Sequence, residues 1–159
     1  MKNGTITLWG EKRYHSLDYY LKNTYHEKVY RIALNAGLSC PNRDGRLDTR
    51  GCIFCSAGGS GDFAASPTLS ITEQLETEKS ILRAKRNCNK FIAYFQAFTN
   101  TYGSVEHLRD LYMQAVNDPD VVIISIATRP DCLQPEILSL LAEINEKKTV
   151  WVELGLQTI

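Results

Sequence analysis

The chain has 159 residues, enough for one domain with a sizeable core. Its 18 acidic and 18 basic side chains balance, which excludes a global field favouring nucleic acid or a membrane surface and leaves RNA binding to local patches. No run approaches the ~20 apolar residues of a membrane span, and residues 1–5 lack an apolar signal core, so we expect a cytoplasmic protein without a membrane partner.

Residues 1–27 predict an N-terminal extension that contains a helix. Four tyrosines lie in this segment: Tyr14, Tyr19, Tyr20 and Tyr25. We favour packing of the helix as their role, and the alternative is stacking against nucleic-acid bases. The domain proper is then predicted to span residues 28–159.

Four segments of this domain have the composition of strands. They are residues 28–36, 90–98, 120–127 and 149–156. The first two are rich in aromatic and β-branched residues, and the third is a nearly continuous apolar run, typical of a strand buried on both faces. The last two intervals from strand to strand are about thirty residues long, the length of a βαβ unit.

Helix signals fill the intervals between these segments. A capping box at Ser70 and Glu73 predicts the start of one helix, and Ser104 is suited to cap the next. Pro135 occupies a first-turn position of a third. The alternation predicts an α/β fold with a parallel sheet, either open and doubly wound or closed as a (β/α) barrel.

The loop after the first strand-like segment contains three of the five cysteines, Cys40, Cys52 and Cys55. Thiolates are the ligands that iron–sulfur clusters and zinc favour. A closed structural zinc site normally takes four ligands, whereas a four-iron cluster held by three cysteines keeps one iron free. An odd cysteine count with three clustered indicates metal binding in a reducing compartment rather than a disulfide framework.

Polar segments follow every strand at its carboxyl end. They are the cysteine loop, residues 99–102, residues 128–131 and residues 155–157. Both kinds of parallel sheet place their sites at the carboxyl ends of the strands. We therefore expect these four segments to form one rim.

Four motifs in order resemble the radical S-adenosylmethionine (SAM) superfamily. They are the cysteine loop, the glycine cluster at 58–61, the Thr-Arg-Pro-Asp sequence at 128–131 and the Glu-Leu-Gly-Leu-Gln sequence at 153–157. Within that superfamily the chain resembles the YhcC/YtqA-type branch, which is related to the radical-SAM domain of the elongator catalytic subunit. The resemblance covers roughly residues 15–159, and the cysteine spacing suits this branch although it departs from the commoner pattern.

The resemblance implies a cluster and a cofactor. The three thiolates would hold a 4Fe–4S cluster whose open iron chelates SAM, and reductive cleavage would give a 5′-deoxyadenosyl radical that abstracts hydrogen from a substrate. A flavodoxin- or ferredoxin-like protein would donate the electron. The substrate is not indicated by the residues; RNA is the leading guess, by analogy with the elongator relative alone.

The resemblance also implies a set of cofactor-binding residues: Phe54, Gly58, Gly59, Arg129, Glu153 and Gln157. Phe54 would lie against the adenine, and the two glycines would let the backbone approach the cluster or cofactor closely. Arg129 would meet the cofactor carboxylate, while Glu153 would accept from the ribose hydroxyls or the amino group.

Several plainer interpretations remain open. The cysteines would instead form a structural zinc site in a non-catalytic binding module, with His15, His26 or Cys88 as the fourth ligand. The glycine cluster would be a flexible loop, Arg129 would pair with Asp131 or Glu153, and Glu153 would simply face a charged neighbour. We expect Cys88 and Cys132 to be ordinary thiols. An electron-transfer cluster is disfavoured because three cysteines leave one iron unprotected.

The resemblance finally implies a partial TIM-like barrel. A radical-SAM core needs more βα units than the roughly four present here. We therefore expect the N-terminal part of a longer enzyme, ending inside the barrel, with a last strand whose exposed edge invites association.

Overall fold

A computed structural model describes residues 8–156 as one α/β layer structure. Its elements in chain order are α1 (Leu17–Tyr25), β1 (Val29–Leu34), α2 (Ile71–Lys85), β2 (Lys90–Phe95), α3 (Val105–Val116), β3 (Val121–Thr128), a short 3-10 helix (Pro130–Cys132), α4 (Pro135–Asn145) and β4 (Thr149–Leu154). The strands pair in the order β1-β2-β3-β4, and each pair is parallel. The predicted α/β class with a parallel sheet is confirmed.

The predicted helix starts are confirmed as well. The Ser70 hydroxyl accepts a hydrogen bond from the Glu73 amide, and the Ser70 amide donates one to the Glu73 carboxylate, so α2 begins with a complete capping box. The Ser104 hydroxyl accepts from the His107 amide at 3.3 Å and begins α3. Pro135 lies in the first turn of α4.

One face of the sheet carries the main hydrophobic core. Alternate strand side chains pack against α2, α3 and α4, because successive residues of a strand point to opposite faces. The fully buried side chains of this core include Leu34, Phe95, Ile124 and Ile126 from the strands and Leu75, Leu108, Tyr112 and Leu140 from the helices. This core fixes the positions of the strands and therefore of the loops at their ends.

The opposite face is apolar at one end and polar at the other. Leu21 of α1 packs there with Val29, Ile92 and Ile123, near the amino ends of the strands. Further along the strands the same face carries the charged side chains of Arg31 and Glu153. The N-terminal helix thus covers the apolar end and leaves the polar end to the loops.

The strands differ from the predicted segments at their ends. We predicted β1 and β2 to reach residues 36 and 98, but they end at Leu34 and Phe95. Beyond Phe95 the chain leaves the ladder, and Phe98 adopts a left-handed backbone with φ 62°.

No helix within residues 8–156 is long and apolar enough to cross a membrane.

Candidate functional site

A cavity of about 310 Å³ lies at the carboxyl ends of the strands, where the sequence predicted a rim. The predicted site residues that line it are Cys40, Cys52, Phe54, Cys55, Gly59, Arg129 and Glu153. They come from three separate strand ends, so the sheet brings together side chains that are more than 100 residues apart in sequence.

The loop after β1 folds into tight turns that hold its thiols in place. The Cys40 carbonyl accepts from the amides of Arg43 and Asp44, at 2.8 and 3.2 Å. The Cys52 carbonyl accepts from the Cys55 amide at 3.0 Å, which brings these two residues round one turn. All three thiols are half-buried and free of disulfides.

Two of the sulfur atoms have polar neighbours from the same loop. The Asn42 side-chain amide donates to Cys52 Sγ at 3.1 Å. Cys55 Sγ lies 3.5 Å from the Ser60 hydroxyl. These two contacts limit the positions that the Cys52 and Cys55 sulfur atoms can adopt.

The thiols share the cavity without converging on a single point. Within residues 8–156, no three His, Cys, Asp or Glu side chains lie close enough together to hold one metal ion. Thiolates of a tetrahedral zinc site lie about 3.8 Å apart, given a Zn–S bond of about 2.3 Å. Cysteines that each bind a different iron of one cluster are spread more widely, and a set of three half-buried thiols round one cavity fits that donor requirement.

The three residues predicted as a fourth zinc ligand lie elsewhere. His15 is exposed and contacts the Trp9 and Tyr19 rings. His26 ends α1 in a left-handed conformation. Cys88 is buried in the main core. None of the three lines the cavity.

The glycine cluster contributes differently from the prediction. Gly59 and Ser60 line the cavity, whereas Gly58 does not. A Cβ at Gly58 would lie 2.9 Å from Asp62 Oδ1, so Gly58 faces the loop's own side chain. Phe54 lines the cavity with 63% of its surface exposed.

Arg129 forms a two-point ion pair on the cavity wall. Its Nε and Nη2 atoms donate to the two carboxylate oxygens of Asp131, at 2.9 and 2.7 Å. The hydrogen bond from Arg129 holds the pKa of Asp131 below its usual value. The pairing with Asp131, one of our two alternatives, is therefore present, and only 15% of the Arg129 side chain is exposed.

Glu153 faces a charged neighbour, which was one interpretation of its role, and it lies in a polar cluster whose other members sequence analysis did not identify. Its carboxylate accepts from Ser125 Oγ at 2.7 Å and from Arg31 at 3.3 Å. The Arg31 guanidinium lies 4.3 Å from the ring centre of Tyr94, and burial, followed by the negative charge of Glu153, raises the pKa of Tyr94. Sequence analysis could have found this cluster from its two charged residues, because Arg31 interrupts the otherwise apolar β1 and Glu153 interrupts β4.

Three remaining predictions concern Cys88, Cys132 and Gln157. Cys132 and Cys88 are buried outside its lining, and burial raises the pKa of the Cys132 thiol. That they are ordinary thiols stays a prediction. Gln157, predicted to bind the cofactor, lies outside the described residues.

Comparison with known proteins gives three relatives. The chain is 51% identical over 149 residues to the Uncharacterized protein YtqA of Bacillus subtilis. The aligned region covers 94% of the chain and 46% of YtqA. It is 43% identical over 140 residues to Protein YhcC of Escherichia coli K12, covering 87% of the chain and 44% of YhcC. It is 33% identical over 143 residues to the Uncharacterized protein MJ0486 of Methanocaldococcus jannaschii, covering 88% of the chain and 43% of MJ0486.

The chain therefore spans about half the length of the curated relatives it matches. No protein-family model matches it. The printed names of these relatives state no activity, so the radical-SAM assignment stays a prediction.

Proposed function

We propose that this chain carries the cluster-binding part of a radical-SAM enzyme, with Cys40, Cys52 and Cys55 as ligands of a 4Fe–4S cluster. The observation that supports this most strongly is the single cavity that all three thiols line. Its walls also carry Phe54 and Arg129, which the resemblance assigned to the cofactor. The five free cysteines suit a reducing compartment such as the cytoplasm.

The sheet order supports a partial (β/α) barrel. An open doubly wound sheet reverses its strand order at a switch point, whereas a barrel keeps the strands in sequence. Here the order is β1-β2-β3-β4 without reversal. The main core packs α2, α3 and α4 against one face, as the outer ring of a barrel requires. The polar end of the other face would then point into the barrel.

The cavity residues of this chain have separate tasks in the proposed enzyme. The bound cluster and SAM would supply one-electron chemistry that protein side chains lack. Arg129, held by Asp131, would orient a carboxylate, and Glu153 would accept hydrogen bonds from hydroxyl or amino groups. Phe54 offers an exposed ring to a flat base such as adenine. The substrate is not assigned.

Metal analysis of the reconstituted chain tests the proposal. After anaerobic incubation with iron, sulfide and reductant, we expect a brown protein with about four irons and four sulfides per chain. The control is the same chain prepared in zinc-containing medium without reconstitution. About one tightly held zinc that blocks iron uptake would contradict the proposal and favour the zinc-stabilised binding module.

A further inference from the structure

Arg43 joins the two parts of the cysteine loop. It lies three residues after Cys40, and its amide donates to the Cys40 carbonyl at 2.8 Å. Its guanidinium reaches the turn that begins at Cys55, the last cysteine of the loop. There Nη1 donates to the Ala57 carbonyl at 3.2 Å, and Nη2 donates to the carbonyls of Cys55, at 3.3 Å, and Ser56. One side chain therefore donates hydrogen bonds to three consecutive backbone carbonyls.

The Arg43 guanidinium is held between a glycine and an aromatic ring. A Cβ at Gly51 would lie 2.7 Å from Arg43 Nε, so only glycine leaves room for the side chain at this point. On the other side, the guanidinium carbon lies 5.6 Å from the centre of the Phe98 ring. The Phe98 amide donates to the Gly59 carbonyl at 2.9 Å. Arg43 is thus packed against the sheet end as well as the loop.

The three carbonyl bonds also set the direction of the peptide dipoles. In a trans peptide the N–H points opposite to the C=O of the preceding residue, and no cis bond occurs among the described residues. Because the carbonyls of residues 55–57 turn towards Arg43, the N–H groups of residues 56–58 turn away from it. Consecutive N–H groups on one side of a turn form a concavity of the kind that binds anions and iron–sulfur clusters.

We infer that Arg43 is the positioning residue of the thiol triad: it fixes Cys52 and Cys55 relative to Cys40 and places its positive charge beside them. The metal-related part of this inference rests on the proposed function. The thiol arrangement itself is a property of the metal-free chain. An arginine fork is suited to this task because it donates to several acceptors in fixed directions, which a lysine cannot do.

The test uses Arg43→Gln and Arg43→Lys, with Arg50→Gln as the matched control. Arg50 lies in the same loop, but its side chain is 86% exposed and pairs with the nearby Asp48. In the metal-free chain, we measure the alkylation rate of each cysteine by iodoacetamide with mass spectrometry, at the alkaline plateau of its pH profile. There every thiol is ionised, so loss of the Arg43 charge cannot slow alkylation and conceal release of the loop. We expect Arg43→Gln to accelerate alkylation of Cys52 and Cys55 several-fold, and Arg43→Lys to do so less. Arg50→Gln should match the wild type.

A second readout follows reconstitution. Arg43→Gln should lose iron to a chelator several-fold faster than the wild type and should lower the reduction potential, because a positive charge near the site is gone. Arg43→Lys should restore the potential while iron loss stays faster, which a purely structural role would not produce. If the wild type takes up no iron, the proposed function fails, and the alkylation rates still decide the inference.

Two results would overturn the inference. One is an unchanged alkylation rate at Cys52 and Cys55 in Arg43→Gln. The other is an equal acceleration at the buried Cys88 and Cys132 in both Arg43 variants, because that pattern would show general loss of packing rather than release of the loop.

Discussion

The wall of the cavity depends on a close contact between Gly59 and Phe98. Gly59 has φ 61° and Phe98 has φ 62°, both in the left-handed region. An aromatic residue in that region costs about 1–3 kcal/mol of strain and keeps the conformation only where its surroundings hold it. Here the ring is held between the Arg43 guanidinium and the Gly59 backbone, where an added Cβ would overlap the ring.

Gly59→Ala should therefore destabilise the chain more than the backbone conformation alone explains. The matched control is Gly37→Ala, whose φ of 67° is similar but whose Cβ would have its nearest neighbour at 3.9 Å. Both variants lose about 1–2 kcal/mol from the left-handed backbone. The overlap with Phe98 should cost Gly59→Ala a further ~1–3 kcal/mol in chemical denaturation. Equal losses would contradict the contact.

The sequence could identify the three thiols that line this cavity but not the residues that hold them. Cys40, Cys52 and Cys55 stand out because thiols in one loop have few roles other than metal binding. Arg43 and Phe98 act through backbone carbonyls and ring packing, which no spacing pattern reveals. Their roles depend on how a long loop folds back on the sheet end.

At the scale of elements, a buried lysine ties α2 to the turn before β3. Lys79 Nζ is 2.7 Å from Asp118 Oδ2 and 3.2 Å from Asp120 Oδ2, and only 3% of the side chain is exposed. Burial alone would lower the pKa of Lys79, but its hydrogen bonds to Asp118, Glu76 and Asp120 outweigh burial and raise it. The lysine therefore stays charged and compensates the buried Asp118 carboxylate.

Lys79→Met should cost about 3–5 kcal/mol of unfolding free energy, because it leaves a buried carboxylate without its partner. The control is Lys22→Met, which removes an exposed pair with Asp18 and should cost less than about 1 kcal/mol. Urea denaturation of both variants measures the difference. A loss below 1 kcal/mol for Lys79→Met would show that water or another group compensates Asp118.

The same network predicts how stability depends on pH. Burial raises the pKa of Asp120, but hydrogen bonds from Arg83 and Lys79 outweigh it and hold the pKa below 3.8. A carboxyl with a lowered folded pKa contributes stability above its unfolded pKa and loses it as the pH falls through the folded value. Asp120→Asn should thus be destabilising at pH 7, and its deficit should shrink below pH 3.8.

Denaturation midpoints of Asp120→Asn between pH 7 and pH 2.5 measure this effect, with Asp110→Asn on the exposed side of α3 as the surface control. A deficit that stays constant across this range would contradict the ion pairs of Asp120.

The elements themselves were largely predictable, and their ends were not. The starts of α2, α3 and α4 follow from Ser70, Ser104 and Pro135, because capping is a local property of the chain. The ends of β1 and β2 depend on neighbouring loops. Thr99 donates to the Ser39 carbonyl and Asn100 to the Ala127 carbonyl, so these contacts between distant segments replace the ladder after Phe95.

In the whole sheet, as far as residues 8–156 describe it, β4 is an edge strand. Within residues 8–156, β4 pairs with β3 alone. Val152 and Leu154 on this strand are 39% and 52% exposed. An exposed strand edge with apolar side chains is a template for pairing with another strand.

We predict concentration-dependent association of this chain through β4. Val152→Lys should shift it towards the monomer, because a charged side chain at the edge opposes pairing. The control is Leu138→Lys, which places the same charge at an apolar site on α4 that is somewhat more exposed, at 49%. Sedimentation velocity measures both. A wild-type chain that stays monomeric at every concentration would contradict this role of the edge.

The central claim is that three thiols, and no others, hold a 4Fe–4S cluster. The most direct measurement is the iron and sulfide content of five single Cys→Ala variants after anaerobic reconstitution under identical conditions. We expect that loss of Cys40, Cys52 or Cys55 abolishes stable assembly, while loss of the buried Cys88 or Cys132 leaves about four irons per chain. Equal loss from all five variants, or full iron content without one of the three cavity thiols, would contradict it.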